Sequence, residues 1–88
     1  MKLKIGQKIK FKHPSSSKVT VGTINYISNG RKMLKSCSLD KNNRINNIYV
    51  SHRGGETAIY PFMVERVAIN GEWARLRRVA DGVETVCA

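Results

Sequence analysis

An all-β fold is predicted for this chain of 88 residues by three observations. Glycine-bearing dipeptides recur at Asn29-Gly30, Gly54-Gly55, Asn70-Gly71 and Asp81-Gly82, the runs between them alternate or are β-branched, and no stretch has a helical period. Such dipeptides supply the positive φ that tight hairpins need. Many short strands joined by tight turns, with no helices to cover a sheet, favour a small barrel or a curled sheet.

The punctuation places strands at residues 7–12, 18–28, 31–38, 47–53, 56–60, 64–69, 72–80 and 83–87. Pro14 with Ser15, Ser16 and Ser17 marks a first loop, and residues 40–47, with four Asn, mark a second. Gly22 falls inside a strand, where a bulge or sharp bend would let a small sheet curl. The last three strands form a meander too short to bury its own apolar face. Val67, Ile69, Ala74, Leu76 and residues 83–87 must therefore pack on the rest of the domain or on another copy of the chain. The expected organisation is one domain over residues 1–88, with a barrel at 1–69 and a hairpin extension at 70–88. A chain this small buries a modest fraction of its surface, so a thin core is expected and oligomerisation would help it.

Charge is divided unevenly. Residues 1–54 carry nine Lys and three Arg against the single acid Asp40, a net of +11, whereas residues 55–88 carry four Arg against five acids, a net of −1. Gathering like charge costs free energy through self-repulsion, so a +11 half points to an anionic partner, nucleic acid foremost. The N-terminal segment shows how charge and core are shared. Lys2, Lys4, Lys8, Lys10 and Lys12 take even positions and Leu3, Ile5, Ile9 and Phe11 odd ones, the alternation of a half-buried strand. At about 3.3 Å per residue, Lys8 to Lys12 spans roughly 13 Å, enough to meet several phosphates. Exterior lysines also serve solubility and discourage edge pairing; the further cations Arg31, Lys32, Lys35, Arg44 and Arg53 favour binding.

In residues 72–79, Ala74 and Leu76 share one face and Trp73, Arg75 and Arg77 the other, so a regular strand cannot bury Trp73 without drawing two arginines inward. Two readings follow. An exposed Trp73 beside guanidiniums suits base stacking; a buried Trp73 would be a core anchor wrapped by arginine stems.

Other chemistry is poorly served. Cys37 and Cys87 lack metal-ligand spacing and are too few for a disulfide scaffold, so reduced thiols are expected, and His13 and His52 would meet them at a zinc ion only by accident of folding. His13 stands near three serines with no carboxylate to orient it, and six acids leave little for paired-carboxylate catalysis. The segment from His52 to Glu56 places its glycines where a hairpin turn needs them, outside the strand-loop-helix setting of a phosphate loop. Residues 1–8 have the charge but not the apolar run of a signal peptide, and no run suits a spanning helix, so a cytosolic protein is expected.

The segment Gly6-Gln7-Lys8-Ile9-Lys10-Phe11, then Val21-Gly22-Thr23-Ile24, and later residues 58–67 resemble the running order of an SH3-like barrel. That resemblance implies a short 3₁₀ turn at residues 61–64 before the last barrel strand. Ile59-Tyr60-Pro61 followed by Glu65-Arg66 is similar to the plasmid-borne type II dihydrofolate reductases, tetrameric SH3-like barrels that use NADPH. The family's Val-Gln-Ile-Tyr motif corresponds here to Thr57-Ala58-Ile59-Tyr60, without the glutamine, and Phe11 stands at its functional lysine. The resemblance thus implies the fold and not the activity. The chain also resembles, in style, small basic SH3-like proteins of phages and mobile elements.

The resulting expectation is an all-β, SH3-like domain that is not an enzyme and binds DNA or RNA electrostatically with weak sequence selectivity. Lys8, Lys10, Lys12, Arg31, Lys32, Lys35 and Arg53 are assigned to phosphates, and Trp73, Arg75 and Arg77 to stacking or a second contact. An acidic host protein is the alternative partner. No cofactor, metal or membrane is expected, and a homo-oligomer is compatible with the small core.

Overall fold

The computed structural model describes residues 2–39, 46–79 and 82–87, with side chains described as far as residue 77. Its elements are β1 (Lys2–Lys4), β2 (Lys8–Lys12), β3 (Val19–Ser28), β4 (Ser36–Ser38), β5 (Asn47–His52), β6 (Gly55–Ile59), a 3₁₀ turn (Pro61–Met63), β7 (Val64–Ile69), β8 (Glu72–Val79) and β9 (Gly82–Cys87). The domain is all-β, and its strands pair antiparallel. Seven strands run in the order β6-β5-β3-β2-β7-β8-β9, and β1 pairs with β4 in a separate ribbon.

The ten-residue β3 organises the sheet. Its first half pairs with β2, from Val19↔Lys12 to Thr23↔Lys8, and its second half pairs with β5, from Thr23↔Ser51 to Ser28↔Asn47. Gly22 stands at the changeover, with Val50 and the Ser51 carbonyl where a Cβ would be. It is a point of close backbone approach. The register irregularity falls after it, between Ile24 and Tyr26, with another between Lys10 and Phe11 where β2 meets β7.

Alternation along each strand delivers the core. Leu3, Ile9, Phe11, Ile24, Ile27, Ile48, Val50, Ile59, Val64 and Val67 are buried, joined by Cys37, Leu39 and Ala74, and Leu76 packs against them. Val67 and Ala74 belong to the C-terminal meander, so the meander shares this core. Asn70 and Gly71, at φ 52° and 81°, form its first turn with the left-handed pair that a type I′ hairpin needs. Asp81, read as part of the second, lies outside the described residues, as do residues 40–45 of the polar loop with Arg44.

Three local expectations differ from the structure. Residues 2–12 are two strands, because Gly6 at φ 90° turns the chain and its N–H donates to the Ile24 carbonyl (2.7 Å). The alternation restarts beyond it, which leaves Ile5 42% exposed and carries Lys2 and Lys4 away with β1. The strand expected over 31–38 is only Ser36–Ser38. Asn29 Oδ1 accepts the N–H groups of Arg31 (2.9 Å) and Lys32 (3.0 Å), an Asx turn that satisfies the backbone locally in place of a ladder. The third concerns the β5–β6 hairpin, which turns on Arg53-Gly54, since His52 pairs with Gly55.

Cys37 is a free, buried thiol, and burial pushes its pKa from 9.0 up to about 11. Two pH units of thiolate population correspond to about 100-fold less nucleophile at mildly alkaline pH. Iodoacetamide is therefore expected to spare Cys37 in the native protein and to modify it in urea, as read from the mass of its peptide; alkylation of the native protein at the rate of an exposed thiol would contradict the packing.

Candidate nucleic-acid interface

The outer face of β2, β7 and β8 brings together two groups of cations that are distant in sequence. On β2, Ile9 and Phe11 turn inward and are fully buried, which sends Lys8, Lys10 and Lys12 outward. On β8, Ala74 is buried and Leu76 packs on the core, which sends Trp73, Arg75 and Arg77 outward. Between these strands lies β7, and the register sets Lys10 opposite Arg66 and Arg66 opposite Arg75. Three cations thus stand abreast on adjacent strands, which at about 4.8 Å per strand places the outer backbones roughly 10 Å apart. Like charges directly opposite each other are destabilising, so the fold tolerates this row at a cost.

The register gives Lys8, Lys10, Lys12 and Arg75 no acidic partner, and the nearest acid on these strands is Glu65, which the β2–β7 bulge leaves without a register partner beside Arg66 and which lines an open pocket with Lys12. Lys8 pairs with Thr23, Lys10 with Val21, Lys12 with Val19 and Arg75 with Val86. Arg77 differs, standing opposite Glu84. Lys10 Nζ lies 4.7 Å from the centre of the Trp73 ring, a cation–π contact that joins the two sequence-distant groups directly. Trp73 is half-buried on the outer face and is not a member of the core, so it is not the core anchor of the second reading of residues 72–79.

Arg66 is the member that sequence reasoning did not assign. Its strand was legible, but its place between β2 and β8 depends on non-local pairing. Arg31, Lys32 and Lys35 lie exposed in the loop after β3, and no strand pairing ties them to the row. Arg53 is elsewhere again, in the β5–β6 turn, where it lines an open cleft with His13, Lys18, Val19, Val21 and His52.

Two imidazoles, one from the 13–18 loop and one from β5, line that cleft. His52 Nδ1 accepts the Gly54 N–H (3.2 Å) and His13 Nδ1 accepts the Ser15 N–H (3.2 Å). Each neutral ring therefore carries its proton on Nε2, and both Nε2–H groups donate to Thr57 Oγ1, at 2.6 Å from His52 and 3.1 Å from His13. The rings meet edge to face at 5.5 Å, 87° apart, and Phe11 lies beneath them, 6.0 Å from His52. This arrangement clasps the 13–18 loop to the β5–β6 hairpin. It offers no lone pair at Nε2 to a metal, and among the described residues no three His, Cys, Asp or Glu side chains gather as a ligand set.

Thr57→Val keeps the shape and removes the acceptor that both rings share, so it is expected to lower stability by about 1–3 kcal/mol, whereas Thr57→Ser keeps the hydroxyl and should lose far less. Thermal unfolding of the two variants beside the parent checks this; equal midpoints for all three would show the clasp to be energetically idle.

The positions brought forward by the reductase resemblance have other surroundings. Phe11 and Ile59 are in the core, and Tyr60 is exposed and stacked on Phe62 at 5.7 Å. No family model, curated protein or solved structure matches the chain. Among the described residues, no helix is long and apolar enough to cross a membrane.

Proposed function

We propose that this protein binds nucleic acid through the phosphate backbone, using the outer face of β2, β7 and β8. The observation that carries the reading is the Lys10–Arg66–Arg75 row, three cations abreast whose register partners include no acid. Repulsion within such a row opposes folding, whereas a polyanion offsets that repulsion and releases counterions on binding. Lys8 and Lys12 extend the row along β2. Weak sequence selectivity goes with this, because the face is a sheet exterior of lysines and arginines with no helix or ribbon shaped to enter a groove.

The SH3-like reading of the architecture belongs to the same proposal and is supported by the 3₁₀ turn Pro61–Met63 leading into β7. A second reading, an acidic protein partner, draws support from Tyr26, 38% exposed and packed edge-on against Tyr49 at 5.4 Å. Aromatic anchors of this kind are enriched in protein interfaces. One preparation separates the two readings. Protein purified at low salt should carry nucleic acid, seen as a raised ratio of absorbance at 260 to 280 nm that falls after a high-salt wash. A nucleic-acid-free preparation that retains a carboxylate-rich protein after nuclease treatment would instead support the second.

A further inference from the structure

We propose that the ligand of this face is single-stranded, and that its backbone continues from the β2–β7–β8 row into the cleft between the 13–18 loop and the β5–β6 turn, where Lys18 and Arg53 hold its phosphates. The inference rests on the nucleic-acid reading above and adds to it a substrate class and a second contact site.

Lys18, from the 13–18 loop, and Arg53, from the β5–β6 turn, are both exposed and both line the cleft, and among the described residues no acidic side chain lines it. The walls are held in place by the His13–Thr57–His52 clasp, so the two cations are presented by a preformed concavity and not by independent loops. The side of the cleft next to the row is lined by Val19 and Val21, 55% and 48% exposed. Their register partners are Lys12 and Lys10, so the cleft adjoins the row directly. Around the surface the order is Arg75, Arg66, Lys10, Val21 and then the cleft with Lys18 and Arg53.

Two cationic sites separated by exposed apolar side chains suit a strand whose bases are accessible. Valine offers nothing to a phosphate, but it can cover the face of an unpaired base, and bases in a duplex have their faces stacked away. Curvature points the same way. The whole body measures 28 × 27 × 24 Å, and a track that leaves its sheet face past Val21 and enters the cleft bends within that size. Duplex DNA has a persistence length of about 50 nm and resists such bending, whereas a single strand follows it at little cost.

Fluorescence anisotropy tests this with two probes, a labelled oligothymidylate about 12 nucleotides long and a mixed-sequence duplex of the same length, titrated at several salt concentrations. The parent protein should bind the single strand more tightly than the duplex. Lys18→Gln with Arg53→Gln should weaken single-strand binding about tenfold, reduce its salt slope by about 1.4, and change duplex binding less than about twofold. Equal or tighter duplex binding by the parent overturns the assignment to a single strand, as does equal weakening of both probes. Unchanged single-strand binding by the double variant overturns the cleft. Lys8→Gln, Lys10→Gln and Lys12→Gln combined provide the separation from the earlier reading: if this variant weakens both probes while the cleft variant weakens neither, only the cleft fails, and if this variant also binds as the parent does, the whole face fails. Both cleft residues are exposed, and thermal unfolding of the variant confirms that the fold is intact.

Discussion

Gly22→Ala is expected to lower the unfolding free energy by about 2–3 kcal/mol, the largest effect of a single small substitution in this chain. A Cβ at this position meets the Val50 Cγ1 atom directly and stands 2.8 Å from the Ser51 carbonyl oxygen. The side chain can yield only by displacing a fully buried neighbour, and the carbonyl belongs to the backbone of β5 and can yield only by distorting the strand. Glycine is required here by proximity and not by φ. Against a typical stability of about 5–15 kcal/mol, a loss of this size is a large fraction for a small domain. Urea unfolding of the parent, Gly22→Ala, Val50→Ala and the double variant checks the cause. Because residues 22 and 50 touch, the two substitutions should be non-additive, with the double variant more stable than the sum of the single losses implies. A residual deficit attributable to the Ser51 carbonyl should remain. A Gly22→Ala protein within about 0.5 kcal/mol of the parent would mean that β3 and β5 are farther apart than the structure has them.

Gly22 also shows what a sequence of this kind discloses. A glycine inside a β-branched run marks an anomaly, but what fills the space belongs to Val50, on a strand paired across the sheet. Strand identity was legible wherever a strong local pattern ran uninterrupted, as in β3, β5, β7 and β8. Where one residue reset the pattern it was not: Gly6 divides the lysine-rich segment in two, and Asn29 diverts Arg31 and Lys32 into a turn that competes with the ladder. The candidate site divides along the same line. Period-two alternation was enough to turn Lys8, Lys10 and Lys12 outward, and to show that Trp73 shares a face with Arg75 and Arg77. That the two faces are one surface follows only from β7 lying between β2 and β8, and with β7 comes Arg66. The imidazole clasp is the extreme case, since His13, His52 and Thr57 come from three segments that no spacing relates, and their convergence depends on the non-local order β6-β5-β3-β2.

Replacing Lys8, Lys10, Lys12, Arg66 and Arg75 together with glutamine is expected to weaken nucleic-acid binding about 100-fold at low salt, the largest functional effect of any substitution set on this surface. The reason is the number of phosphates that the row neutralises. Each neutralised phosphate releases condensed counterions, so the slope of log affinity against log salt should fall by about 0.7 for every phosphate left unneutralised on a single strand and by about 0.9 on a duplex. Sequence preference should be unaffected, since these side chains are assigned to the backbone and carry no base information. The fold should persist, because Ile9, Phe11, Val67 and Ala74, the inward residues of the same strands, are untouched. Relief of the Lys10–Arg66–Arg75 repulsion opposes the loss of the Lys10–Trp73 cation–π interaction, worth about 0.5–1 kcal/mol, so thermal stability should change little. Net charge alone would also weaken binding to any polyanion, and the control must remove charge elsewhere. Arg31→Gln, Lys32→Gln and Lys35→Gln remove three positive charges from the exposed loop after β3, as Lys8→Gln, Lys10→Gln and Lys12→Gln do from the row. If location governs binding, the row variant loses far more affinity and slope than the loop variant. Equal losses from the two triple variants would reduce the interaction to overall charge and leave the row without a special role.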